Sequence, residues 1–105
     1  MIETYNLGHD LARVERGLWE LADTLAPQVA AADAEIAITH CGLDERARAS
    51  IERVLDRPVA WILLPVEAGY YEHKNRGFDA TSGDLVAFLD GDCACLLYTS
   101  PSPRD

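Results

Sequence analysis

Asp90 and Asp92 stand one residue apart behind the apolar run Leu85, Val86, Ala87, Phe88 and Leu89, with Gly91 between them to let the backbone bend. Two carboxylates at the end of a strand can turn toward one hard cation. Mg²⁺ or Mn²⁺ held there would bridge phosphate oxygens and neutralise charge on a diphosphate leaving group. On spacing alone, Asp-Gly-Asp is just as often an ordinary turn. Two other clusters also follow short apolar runs, Thr4-Tyr5-Asn6 and His40-Cys41-Gly42. His40 can give or take one hydrogen bond, or it is simply packed. Lys74 and Arg76 can offset phosphate charge or form the wet face of a helix. Tyr70 and Tyr71 can stack on a ring or pack against a strand.

The charge balance narrows the possible partners. Nine basic residues against eighteen acidic ones give a formal net charge of -9. Clustered Lys and Arg are missing, which argues against nucleic acid as a partner. An acidic chain that binds a phosphate ligand must neutralise it locally, with a metal ion or backbone N–H groups. The 105 residues are 49% apolar and 26% charged, the make-up of one small globular domain. No apolar run is long enough to span a bilayer, and the first residues lack the basic and apolar regions of a signal peptide. Cys41, Cys93 and Cys95 are odd in number and unevenly placed. That suits free thiols in a reducing compartment, so the expected location is cytoplasmic, with no membrane contact visible in this stretch and membrane association of a longer parent left open.

Elements to position these residues can be read from periodicity. Residues 2–5 look like the end of a strand. From Asp10, a plausible N-cap, Leu11, Val14, Leu18, Leu21, Ala22 and Leu25 step by threes and fours as an amphipathic helix, which Pro27 is expected to stop. Residues 35–39 form a short strand buried on both faces. Residues 44–57 form a helix through Ala47, Ile51, Val54 and Leu55, ended by Pro58, and 59–64 form the next buried strand. Residues 70–82 are polar and helical, with Gly77 as an interior weakness and Gly83 as the cap, before the apolar strand at 85–89. Trp19 and Trp61 fall within apolar patterns and are expected in the core. Alternating strands and helices imply right-handed β-α-β units, hence an α/β fold with a parallel sheet and helices on both faces.

Three stretches taken together go further. Glu3-Thr4-Tyr5-Asn6, Lys74-Asn75-Arg76-Gly77, and Gly83-Asp84 leading through the apolar strand to Asp90-Gly91-Asp92 resemble, in that order, the donor-site signature of family 2 glycosyltransferases. The resemblance implies a Rossmann-like GT-A fold, the nucleotide-diphospho-sugar transferase architecture, over residues 1–94. Asp92 would coordinate a divalent metal, Mn²⁺ or Mg²⁺, and Asp90 would contact that metal or the ribose. Glu3 and Tyr5 would lie against the base, and Lys74 and Asn75 would line the site of a UDP- or GDP-sugar. Where the family carries acidic residues after the second strand, this chain has His40-Cys41, which leaves the base open and makes His40 a candidate contact.

The resemblance also implies a sugar transfer, inverting in stereochemistry, to an acceptor. No catalytic residue is expected in this stretch, because the acceptor site and general base would lie beyond the Asp-x-Asp strand. The expectation is therefore a donor-binding domain truncated after that strand and inactive alone. Residues 95–105 resemble the translation of a sequencing adapter and are expected to be a non-native tail. Other nucleotide-binding classes fit less well. A nucleotidylyltransferase needs a Gly-rich loop after the first strand, and a dinucleotide-binding domain needs Gly-x-Gly-x-x-Gly there; Thr4-Tyr5-Asn6-Leu7-Gly8 is neither. A non-catalytic module that binds a nucleotide-sugar or a protein through the same sheet edge is the alternative.

Overall fold

The computed structural model describes residues 1–8, 10–82 and 89–91. Over these, strand and helix alternate: β1 (Ile2–Glu3), one 3-10 turn (Tyr5–Leu7), α1 (Leu11–Ala32), β2 (Ala37–His40), α2 (Glu45–Leu55), β3 (Ala60–Leu63), α3 (Tyr70–Asp79) and β4 (Leu89–Asp90). All paired strands are parallel, in the order β3-β2-β1-β4. The fold is therefore α/β with a four-stranded parallel sheet. The expected cap Gly83, most of the apolar run before Asp90, Asp92 itself and the tail at 95–105 lie outside the described residues.

Side-chain alternation along the strands divides the two faces of the sheet. Ile2 and Ile38 enter one apolar cluster with Val14, Leu18 and Leu21 of α1 and Ala47, Ile51 and Leu55 of α2. Their strand neighbours point the other way, toward α3. Thr39 meets His73 of α3 through Oγ1···Nδ1 at 2.7 Å. Met1 fills the space beside Gly77, where an added Cβ would come within 2.5 Å of its side chain. Gly77 is thus a close-approach position that seats α3 on the sheet, although a glycine inside a helix weakens it.

Aspartates start and end the first two helices. Asp10 Oδ1 accepts from the N–H groups of Ala12 and Arg13, and Asp44 Oδ1 accepts from that of Ala47. Asp33 and Asp56 close α1 and α2 in the left-handed region, φ 51° and 56°, which aspartate enters more readily than most residues. Pro27 does not stop α1; the helix continues to Ala32. Pro27 is exposed, so the carbonyl deprived of its partner faces water, and the Ala-rich turn that follows favours helix. Val29 packs on the core, and Arg57 donates to the carbonyls of Val29 and Ala34 at 3.0 Å each and to Asp33 Oδ1 at 2.7 Å.

Three other expectations are corrected. α2 stops at Leu55, two residues after Arg53, because Asp56 turns left-handed before Pro58 is reached. β3 lies at the edge of the sheet and is not buried: Leu63 is 65% exposed and Ile62 is partly exposed. Trp19 is 43% exposed on α1, outside the core. Trp61 is only partly buried and packs at the cluster's margin, its indole N–H donating to Glu52 Oε2 at 2.8 Å. A short apolar run does not reveal whether its strand is central or at an edge, because both read alike in periodicity.

Leu21 is fully buried at the centre of the cluster. Leu21→Ala is expected to lower the unfolding free energy by about 2–5 kcal/mol. Leu63→Ser, on the exposed edge, is expected to change it by less than about 0.5 kcal/mol. Urea titration followed by circular dichroism reads both.

Candidate functional site

The connections change direction at β1. The chain moves outward from β1 to β2 and β3, then returns across α3 to pair β4 on the other side of β1. In a parallel sheet, the carboxyl ends of the two strands at such a reversal diverge into a crevice where ligands bind. Here those strands end in Glu3 and Asp90, which are register partners. Leu89 packs against the α1/α2 cluster, so Asp90 points to the α3 face, the face that also receives Glu3.

Side chains of α3 close over this pair. Tyr70 donates its hydroxyl to Asp90 Oδ1 at 3.4 Å, and Lys74 Nζ stands 3.7 Å from the same oxygen. Lys74 also lies 4.8 Å from the centre of the Tyr70 ring, four residues back on the same helix face. The Tyr70 hydroxyl, then the two carboxylates, hold the ammonium above its ordinary range. Tyr5 meets Tyr70 edge to face with centroids 5.9 Å apart, and it is 46% exposed at the rim. Gly91 is needed for packing: a Cβ there would come within 2.9 Å of the Glu3 carbonyl oxygen and 2.7 Å of Leu7.

Glu3 has no exposed surface. Its Oε1 accepts the Tyr5 N–H at 2.6 Å, while Oε2 is buried without a hydrogen-bond partner. Burial first, and the Asp90 carboxylate second, push its pKa from 4.5 up to about 7, against the opposing pull of the Tyr5 N–H and Lys74.

The residues predicted from the sequence separate at this point. Glu3, Tyr5, Lys74 and Asp90 converge at the crevice. Asn75 is exposed on α3, and Asp92 lies outside the described residues. His40 belongs to the opposite face of the sheet. Its Nδ1 accepts the N–H groups of Gly42 and Leu43 at 3.2 and 3.1 Å, and its ring stands edge-on to Trp61. It shapes the turn into α2, and burial, followed by Arg48, keeps its pKa low.

One residue that sequence reasoning passed over sits next to the crevice. His73 is buried, bonded through Nδ1 to Thr39, with Nε2 3.8 Å from Cys41 Sγ and its ring 5.9 Å from that of Tyr5. The Cys41 thiol also points at the Pro65 carbonyl, and burial, then Glu67, raises its pKa. This is the chemistry of a packed neutral histidine and a protonated thiol. The available clue was the four-residue spacing of His73 and Gly77, which marks the inward face of α3.

Among the described residues no three His, Cys, Asp or Glu side chains form a ready metal cluster, and no helix is long and apolar enough to cross a membrane. Among the described residues, two concavities lie at the other end of the sheet, the larger about 710 Å³ and lined by Leu25, Val29, Ile36 and Leu89 among others. No family model, no curated protein and no solved structure matches this chain.

The raised pKa of Glu3 has a fixed sign. Between about 4.5 and about 7 the folded chain keeps a proton that the unfolded chain has lost. The stability it contributes is full below the lower value and disappears as pH rises through the upper one. Glu3→Gln stays neutral throughout and removes this loss. Its urea-unfolding free energy is expected to fall less between about pH 5 and about pH 8 than that of the unmodified chain. Equal pH dependence in both would refute a raised Glu3.

Proposed function

We propose that the β1/β4 crevice binds the diphosphate of a nucleotide-sugar, UDP- or GDP-linked, as donor in a glycosyl transfer of the family 2 type. The observation that carries this reading is the register pairing of Glu3 with Asp90 at the reversal of strand order, with Lys74 directly above it.

An anion approaching this crevice meets the Asp90 carboxylate and the Lys74 ammonium, with the buried Glu3 carboxyl behind them, in a chain of net charge -9. Binding a diphosphate needs more positive charge than Lys74 supplies. The residues fit a hard divalent cation: the acidic donors are oxygens alone, and one of them, Glu3 Oε2, is buried without a partner. Asp90, with Asp92 two positions on in the sequence, would hold Mn²⁺ or Mg²⁺. When bound, the cation would neutralise charge developing on the departing diphosphate.

The remaining roles fall to this chain's own groups. Lys74, braced by Tyr70 and Asp90, presents a second positive charge beside the phosphates. Tyr5 offers a partly exposed ring at the rim on which a base can stack. Gly91 lets the strand end press against the Glu3 carbonyl and so keeps the two carboxylates adjacent. The sugar and the acceptor are left open by these contacts.

Calorimetric titration of the 105-residue chain with UDP and with GDP, each with and without Mn²⁺, tests the reading. Binding is expected only with Mn²⁺, and Asp90→Asn is expected to weaken it at least about tenfold, or about 1.4 kcal/mol. Lys74→Ala is expected to weaken it less and to reduce its dependence on salt. Equal binding by the unmodified chain and Asp90→Asn would sink the proposal.

A further inference from the structure

Glu3 shows a mismatch between its side chain and its surroundings. Its Oε1 has a clear structural task, accepting the Tyr5 N–H at 2.6 Å and so fastening the 3-10 turn to the end of β1. A glutamine carbonyl would perform that task equally well and carry no charge. The second oxygen has no such task. Oε2 is completely buried, receives no hydrogen bond, and belongs to a residue whose strand partner is a second acid. Burying an acceptor without a donor is costly, and placing it beside another acceptor adds repulsion.

The surrounding groups do not remove the mismatch. The hydroxyl of Tyr70 and the ammonium of Lys74 are both directed at Asp90 Oδ1. Thr4 Oγ1 donates to the Thr39 carbonyl, away from the pair. His73 is occupied by Thr39. Two carboxyl groups therefore face each other across β1 and β4: while Glu3 holds its proton it can donate to Asp90, and once that proton leaves, a cation is the group that can join them.

We infer that Glu3 is itself a ligand of the divalent cation, binding through Oε2 opposite Asp90, so that the metal seat spans β1 and β4. This rests on the donor-site reading of Asp90 and extends it to a residue that the resemblance assigned to the base. The burial of Glu3 fits the new role better, because a base cannot reach a side chain with no exposed surface. A seat shared by two strands also differs in kind from a clamp on one strand end. It joins β4 to the centre of the sheet, so metal binding and strand pairing support each other. Two protein oxygens suit Mg²⁺ or Mn²⁺, which keep several waters and complete their shell with phosphate.

The test uses the full 105-residue chain and Mn²⁺ alone, with free Mn²⁺ read by its paramagnetic resonance signal. Glu3→Gln, which keeps the shape and the Tyr5 contact, is expected to weaken Mn²⁺ binding at least about tenfold, since even residues that only orient ligands cost 10–100-fold. In the unmodified chain, Mg²⁺ titration followed by carboxyl ¹³C NMR is expected to move the Glu3 and Asp90 resonances with one common midpoint. That measurement decides the matter even if the variant folds poorly. Movement of Asp90 without Glu3, or unaltered Mn²⁺ affinity in a folded Glu3→Gln chain, overturns the inference and leaves the Asp90 reading standing. Unaltered affinity in Asp90→Asn, or no Mn²⁺ binding at all, overturns both.

Discussion

Strand β1 hydrogen-bonds in parallel with β2 on one side and β4 on the other, and its two residues face opposite ways. Ile2 enters the apolar cluster under α1 and α2, while Glu3 goes to the crevice under α3. The same pairing that buries Ile2 therefore fixes Glu3 beside Asp90. A slip of one residue would exchange the two, putting a carboxylate in the core and an isoleucine in the site. Core and site are thus one constraint read from opposite faces. This is why the close contacts at Gly77 and Gly91, which hold α3 and the end of β4 against β1, matter to both.

Much of the architecture was legible in the sequence. Strong threefold and fourfold spacing marked α1 and α2, aspartates marked their starts, and alternation of element types implied a parallel sheet. What escaped was tertiary in origin. The length of α1 depends on Arg57 and on the packing of Val29, neither visible from Pro27. The exposed character of β3 depends on strand order, which local pattern does not encode. Trp19 sits on an apolar stripe wider than the core it covers.

The site was legible in the same uneven way. Residues at strand ends could be named because ligands of parallel sheets bind there, and Glu3, Tyr5 and Asp90 do meet. His40 was misdirected by the same rule: being at a strand end does not say which face a side chain takes, and His40 takes the face opposite to Glu3. The environment of Glu3 could not be read locally, because its partners arrive from β4 and α3, far along the chain. A single acid in a short strand looks the same whether it is solvated or buried.

The two ends of the sheet also differ in how their charges are held. At the amino end, one guanidinium, Arg57, knots together the last turn of α1, the connection into β2 and the approach to β3. At the carboxyl end, Glu3, His40 and His73 are all pressed by burial toward their neutral forms. The molecule thus has one pole laced together by a charged side chain and an opposite pole whose ionisable groups are held toward neutrality by burial.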